Sequence, residues 1–126
     1  MRAAWTRGFR ATEAGNSVQC RLNSARVREF PGERRTACPA AGPGGDGVCG
    51  SNCDGYCQLM LAECPGSFDA ASCVQSCAAT SDPGGFDTSR IEGDSVQCRL
   101  YHLQAASVSP RNHCPHAAGA YPCGPL

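Results

Sequence analysis

The stretch from Cys53 to Cys77 constrains the fold more than any other part of the chain. It carries two Cys-x-x-x-Cys pairs, Cys53/Cys57 and Cys73/Cys77, with fifteen residues between them. Residues four apart share a face of a helix, so each pair sets two sulfurs in one stripe. Pro65-Gly66 breaks the chain between the pairs. Two short antiparallel helices would bring the stripes together, closing an outer bond Cys53–Cys77 and an inner bond Cys57–Cys73. The spacing predicts a disulfide-stapled helical hairpin over 51–79. Its first helix should start at Ser51 or Asn52 and end by Pro65, presenting Cys53, Tyr56, Cys57, Met60, Leu61 and Cys64 inward. The second should start near Ser67 or Asp69 and present Ala70, Cys73, Val74 and Cys77.

The hairpin has little apolar material to lean on. Leu, Ile, Val and Phe together make up 17 of 126 residues, while cysteine alone contributes 11. A chain this size with so small an apolar stock needs cross-links, and a native bridge in a small secreted domain is typically worth about 2–5 kcal/mol. Cysteine use at this level implies an oxidising compartment, secreted or at the cell surface. The chain has no Cys-x-x-Cys, so neither thiolate zinc tetrads nor c-type haem attachment is indicated. No apolar run is long enough to span a membrane. The fold class expected is therefore small, disulfide-rich and mainly α, with irregular Gly/Pro-rich loops around the hairpin.

The start, MRAAWTRGFRAT, is basic but has no apolar h-region behind it. A piece of a longer exported protein fits better than a mitochondrial-type presequence built on Arg2, Arg7 and Arg10. Charge divides unevenly. Residues 1–35 hold eight arginines and three glutamates (+5), and residues 36–126 hold three arginines and eight acids (−5). A solvated basic face accounts for residues 1–35, because no nucleic-acid motif or aromatic platform accompanies them.

A seven-residue signature occurs twice. Asn16-Ser-Val-Gln-Cys-Arg-Leu22 returns as Asp94-Ser-Val-Gln-Cys-Arg-Leu100, a shift of 78 residues. Ala37-Cys-Pro-Ala-Ala41 then matches His113-Cys-Pro-His-Ala117, and Cys49-Gly50 matches Cys123-Gly124. Three landmarks in one order mark a repeat unit. The chain divides into a basic segment (1–14), a first, eight-cysteine copy (15–79), a linker (80–93) and a second, truncated copy (94–126). With the hairpin bonds assigned, Cys20, Cys38, Cys49 and Cys64 remain in the first copy and allow three pairings. The second copy holds Cys98, Cys114 and Cys123, so the odd thiol is expected there, unpaired or bonded to another chain. Both signatures read as helix starts, with Asn16 and Asp94 as N-caps and Gln19 and Gln97 three residues on. Cys20, Ser24 and Val27 then share a face, as do Cys98, His102 and Ala105. Pro31-Gly32 should end the first of these helices, and residues 39–50 are too rich in Gly and Pro for regular structure.

The unit resembles an uncharacterised cysteine-rich repeat of exported bacterial proteins. There the order is Val-x-Cys-Arg-x-x-His, His-Cys-x-His-Ala, Gly-x-Cys-Gly and a Cys-x3-Cys hairpin. Val96, Cys98, Arg99, His102, His113, Cys114, His116, Ala117 and Cys123 carry the likeness, which covers about residues 15–124. It implies export and a modular role, and brings no activity with it. The hairpin alone also resembles the twin Cys-x3-Cys chaperones of the mitochondrial intermembrane space, but the flanking copies, Cys64 and the Gly/Pro-rich loops depart from that pattern.

All three histidines, His102, His113 and His116, lie in the second copy, and the first has Ser24, Ala37 and Ala40 in their places. Joint absence is what ligands useful only as a set would show. His-Cys-Pro-His puts two imidazoles three apart on a turn, with His102 on the helix near Cys98. Three imidazoles suit zinc or copper, and a haem iron needs one or two. In an oxidised protein the cysteines are spent on bridges, so histidine would have to do the binding. Histidines that merely fill loop positions and bond to backbone would leave the same sequence pattern.

Enzyme signatures are lacking: there is no Gly-x-Ser-x-Gly elbow, no phosphate-binding Gly-Lys-Ser/Thr loop and no paired carboxylates. Arg21 and Arg99, each following a cysteine, read as surface or pairing residues. The function expected is an exported, modular, non-enzymatic binding or structural protein with a protein or cell-surface partner, self-association through the repeats included. The alternatives are a metal or haem module on the three histidines and a chaperone-like hairpin.

Overall fold

Ser51 opens the hairpin. Its backbone is extended and its hydroxyl accepts the Asp54 N–H, so the chain enters a helix over Asn52–Glu63 with one orphan donor satisfied. The second hairpin helix, Ala70–Ala78, is capped in the same way by Asp69, which accepts the Ser72 N–H at 2.8 Å. That bond holds the Asp69 carboxyl below its ordinary range. The computed structural model describes residues 15–26 and 34–126, so the basic segment 1–14, Val27 and Pro31-Gly32 lie outside the described residues. Helices in chain order are α1 (Val18–Arg26), α2 (Arg34–Ala40), α3 (Asn52–Glu63), α4 (Ala70–Ala78), α5 (Val96–Ala106) and α6 (Pro110–Ala117). The rest of the described chain is loop, with one isolated bridge between Ser81 and Ser95.

The hairpin closes as its spacing predicts. Cys53–Cys77 and Cys57–Cys73 are both bonded, with Cα–Cα distances of 5.6 and 5.7 Å, inside the range a disulfide needs. The inward face of α3 is shifted from the stripe expected, with Asn52 and Gly55 buried as well. Tyr56, Cys57, Met60 and Cys64 are buried, whereas Leu61, one 100° step round from Met60, is 42% exposed. On α4 only Cys73 and Cys77 are buried, while Ala70 and Val74 face solvent. α4 is thus held to α3 chiefly through its sulfur stripe, with Ser76 reaching Arg99 of α5.

The larger part of the core lies on the other side of α3, where α5 and α6 pack. Tyr56, Met60, Val96, Leu100, Leu103, Ala106 and Ala117 form one cluster with Cys57, Cys64, Cys73, Cys77 and Phe86. The Tyr56 hydroxyl donates to the Ala117 carbonyl at 2.6 Å, tying α3 to the end of α6. Along the first half of α5, Val96 to Leu100 are all buried, so this half is enclosed on every side, while Gln104 in the second half faces solvent. The segment 80–93 contributes to the enclosure through Phe86 and through Asp82, whose carboxylate accepts from Gln97 at 2.6 Å and from Asn52 at 2.9 Å.

Of the remaining cysteines, four pair within their own copies and two pair across the copies. Cys20–Cys49 and Cys98–Cys123 occupy matching places, 29 and 25 residues apart in sequence. Cys64 of the hairpin bonds Cys114 of the second copy, closing a separation of 50 residues. Loop-closure entropy assigns such a bond about 4 kcal/mol, against about 3 kcal/mol for the Cys57–Cys73 loop. The first copy is therefore not a closed eight-cysteine set. The free thiol is Cys38, exposed on α2, and all three cysteines of the second copy are bonded, contrary to expectation.

Three further expectations are corrected by local geometry. The N-caps are Ser17 and Ser95, one residue beyond Asn16 and Asp94, and their hydroxyls accept the Cys20 and Cys98 N–H groups at 3.1 and 3.2 Å. Gln97 consequently makes no capping box and reaches Asp82 instead. Helix α2 runs through Pro39 to Ala40 before the Gly-rich loop begins. That loop presses so closely on α3 that a Cβ at Gly55 would lie 2.7 Å from the Pro43 carbonyl oxygen. Gly45 has φ +89°, and a Cβ there would meet the Cys49 carbonyl.

Candidate functional site

His-Cys-Pro-His lies on a helix and not on a turn. Pro110 starts α6 at a position where its missing N–H costs nothing, and the helix continues through Pro115 to Ala117. A proline in the second turn removes one internal bond, and the Cys64–Cys114 bridge and the Tyr56 hydroxyl hold the helix from outside. On this helix His113 and His116 are three apart and share a face. That face meets α5, where His102 sits one turn beyond Cys98.

The three imidazoles come together. The Nδ1 atoms of His102 and His113 are 3.1 Å apart. The ring centroids lie 5.3 Å apart for His102–His113, 5.0 Å for His102–His116 and 6.3 Å for His113–His116. His102 is buried, at 7% exposure, and His113 and His116 are half-buried. Tyr101 packs edge-on against the His102 ring.

Two backbone carbonyls decide where protons sit. His102 Nε2 is 3.0 Å from the Ile91 carbonyl oxygen, and His116 Nδ1 is 2.6 Å from that of Tyr121. A carbonyl only accepts, so the proton is on Nε2 of His102 and on Nδ1 of His116. The lone pairs are then Nδ1 of His102 and Nε2 of His116. Burial pushes the His102 imidazole below its ordinary pKa; the bond to Ile91 opposes this, and the neighbouring His116 and His113 add to it. These carbonyl partners carry no side-chain signal and could not have been picked out in the sequence.

A second donor set lies beside the first. The sulfurs of Cys98 and Cys123 are within 4.8 Å of a His102 nitrogen. They are bonded to each other, so neither is a thiolate and this trio cannot hold an ion while the bridge stands. The other cysteines singled out in the sequence are structural: Cys20, Cys49, Cys53, Cys57, Cys64, Cys73, Cys77 and Cys114 are all in bridges.

The arginines after the paired cysteines are brace residues. Arg21 donates to the Gly42 and Pro43 carbonyls at 2.8 Å each. Arg99 is buried, donates to Ser76 at 3.1 Å and lies 3.7 Å from Asp94. Beside Arg21 a cleft of about 700 Å³ opens between α1, α3 and α5, walled by Val18, Leu59, Ala62 and Leu103.

These features define a small, disulfide-rich, mainly helical protein with a histidine cluster on the α5–α6 pair and an open cleft where α1 faces α3 and α5. No family model matches the chain, and no curated protein or solved structure matches it either. No described helix is long and apolar enough to cross a membrane.

Proposed function

We propose that this is an exported, non-enzymatic binding module that associates with a second copy of itself through the exposed face of its first helix pair. The observation that carries the proposal is a contrast between equivalent residues. Val96 and Leu100 are fully buried, whereas Val18 and Leu22, at the same places in the first signature, are 66% and 58% exposed. Cys114 is bonded to the hairpin, while its counterpart Cys38 is free and exposed. The α1–α2 pair thus has the surface chemistry of a docked pair and no intramolecular partner on that face among the described residues. Exposed apolar patches beside a cleft are characteristic of interaction sites. A formal net charge of zero leaves little overall repulsion between copies. Five bridges are compatible with an oxidising compartment.

Sedimentation velocity from micromolar to millimolar concentration tests the proposal. The wild-type chain should shift from monomer to dimer, and the double variant Val18→Asp with Leu22→Asp should stay monomeric. Val108→Asp, at an 88% exposed site elsewhere, should behave as wild type. A wild-type chain that stays monomeric throughout refutes the association.

A further inference from the structure

We propose that His102, His113 and His116 bind a single late first-row divalent metal ion, zinc(II) or copper(II), independently of any association between copies.

The donor geometry comes first. Two nitrogens on one tetrahedral ion, each bonded at about 2.0–2.1 Å, are separated by roughly 3.3 Å. The His102 and His113 Nδ1 atoms stand at 3.1 Å, so an ion can take both with small ring movements. Without metal, the His113 Nδ1–H donates to the His102 lone pair. With metal, His113 carries its proton on Nε2 and both Nδ1 atoms become ligands.

The second shell points the same way. Metal-bound histidines almost always donate their other ring N–H to a carboxylate, carbonyl or water, which fixes the tautomer. Ile91 does this for His102 and Tyr121 does it for His116. Two of the three tautomers are therefore fixed before any ion arrives; an ion then displaces the His113 N–H from His102, and His116 turns toward the pair, because the three rings do not yet hold one nitrogen each within 4.8 Å of the others.

The first copy shows that the scaffold does not need these side chains. It builds the same bridged helix pair, Cys20–Cys49 against Cys98–Cys123, with the same serine caps. Ser24, Ala37 and Ala40 stand there instead of the histidines, and Ser24 lies 3.5 Å from the Cys49 sulfur. Packing alone would be met by such residues. Three imidazoles drawn from two helices, one of them buried and two half-buried, need another reason.

The class of ion follows from the donors. With Cys98 and Cys123 bonded, the set is all nitrogen, which suits copper(II) and zinc(II) and gives soft ions no thiolate. His113 and His116 are half-buried, so an ion can reach the site and water can complete its coordination. Rings 5.0–6.3 Å apart leave no slot among them for a haem plane.

The test uses the full oxidised chain, stripped of metal by a chelator, titrated separately with zinc(II) and copper(II) by calorimetry. Elemental analysis after dialysis gives the stoichiometry, and paramagnetic resonance of the copper form reads nitrogen hyperfine coupling. One ion per chain is expected, with coupling from imidazole nitrogens, and His113→Ala and His116→Ala should each weaken binding tenfold or more. Zinc-only or copper-only binding would name the ion. Both substitutions are at half-buried sites, and an unchanged circular dichroism spectrum shows that the fold is kept. If His102 is needed for folding, the hyperfine signature of the wild-type protein still decides. No bound ion, or affinity unchanged in both variants, overturns the proposal.

Discussion

The two helix pairs start from the same seven-residue signature and end in opposite situations. In each, a serine caps the first helix and a long-range disulfide ties that helix to the loop beyond the second. Yet α5 is enclosed by the hairpin, the 80–93 segment and α6, while α1 belongs to a small satellite cluster of Cys20, Ala40 and Cys49. Local sequence decides that a capped, bridged helix pair forms. Whether its apolar face is buried depends on having a hairpin to sit on, and the one hairpin among the described residues is taken by the second copy. One design therefore yields a core in one place and an exposed apolar face in the other.

The contrast can be broken by removing matching parts from each pair. The largest effect is expected for the bridges. Replacing Cys98 and Cys123 together by alanine should destabilise the main unfolding transition by about 2–5 kcal/mol. Replacing Cys20 and Cys49 should leave that transition in place and loosen only the first pair. Denaturant unfolding reads the first result, and amide exchange over residues 15–26 and 34–50 reads the second. Equal losses in the main transition would mean that both pairs belong to one cooperative unit.

Next come the leucines. Leu100→Ala opens a cavity in the main core and should cost about 2–5 kcal/mol, whereas Leu22→Ala at the surface should stay within about 0.5 kcal/mol. Chemical denaturation of the two variants side by side gives the comparison directly. The caps are the most delicate probe. Ser95→Ala should cost about 1 kcal/mol of global stability. Ser17→Ala removes the same hydrogen bond from a helix outside the main core, so its effect should be confined to exchange rates in α1.

Much of this fold is legible in the sequence because cysteine spacing is a geometric instruction. The hairpin bounds, both nested bonds and a start of α4 near Ser67 or Asp69 follow from a four-residue period and a Pro-Gly break, and the cap proves to be Asp69. The histidines were legible as a set, since only one copy has them. What could not be read was long-range. Counting cysteines copy by copy suggests self-contained units, and nothing local tells Cys64 to pass over Cys38 for Cys114. Leu61 and Val74 fit the helical period and still face water, because periodicity gives a stripe without saying how wide a neighbour will cover it. The carbonyls of Ile91 and Tyr121 are invisible for a simpler reason: every residue has one.

The bond between Cys64 and Cys114 also sets a schedule. A chain made from its N-terminus exposes Cys38 and Cys64 together well before Cys114 exists, so an early partner is at hand that the finished molecule does not use. Correct cross-linking must wait for the late arrival or undo the premature choice. Maturation of this small protein thus rests either on that delay or on disulfide exchange in whichever compartment receives it.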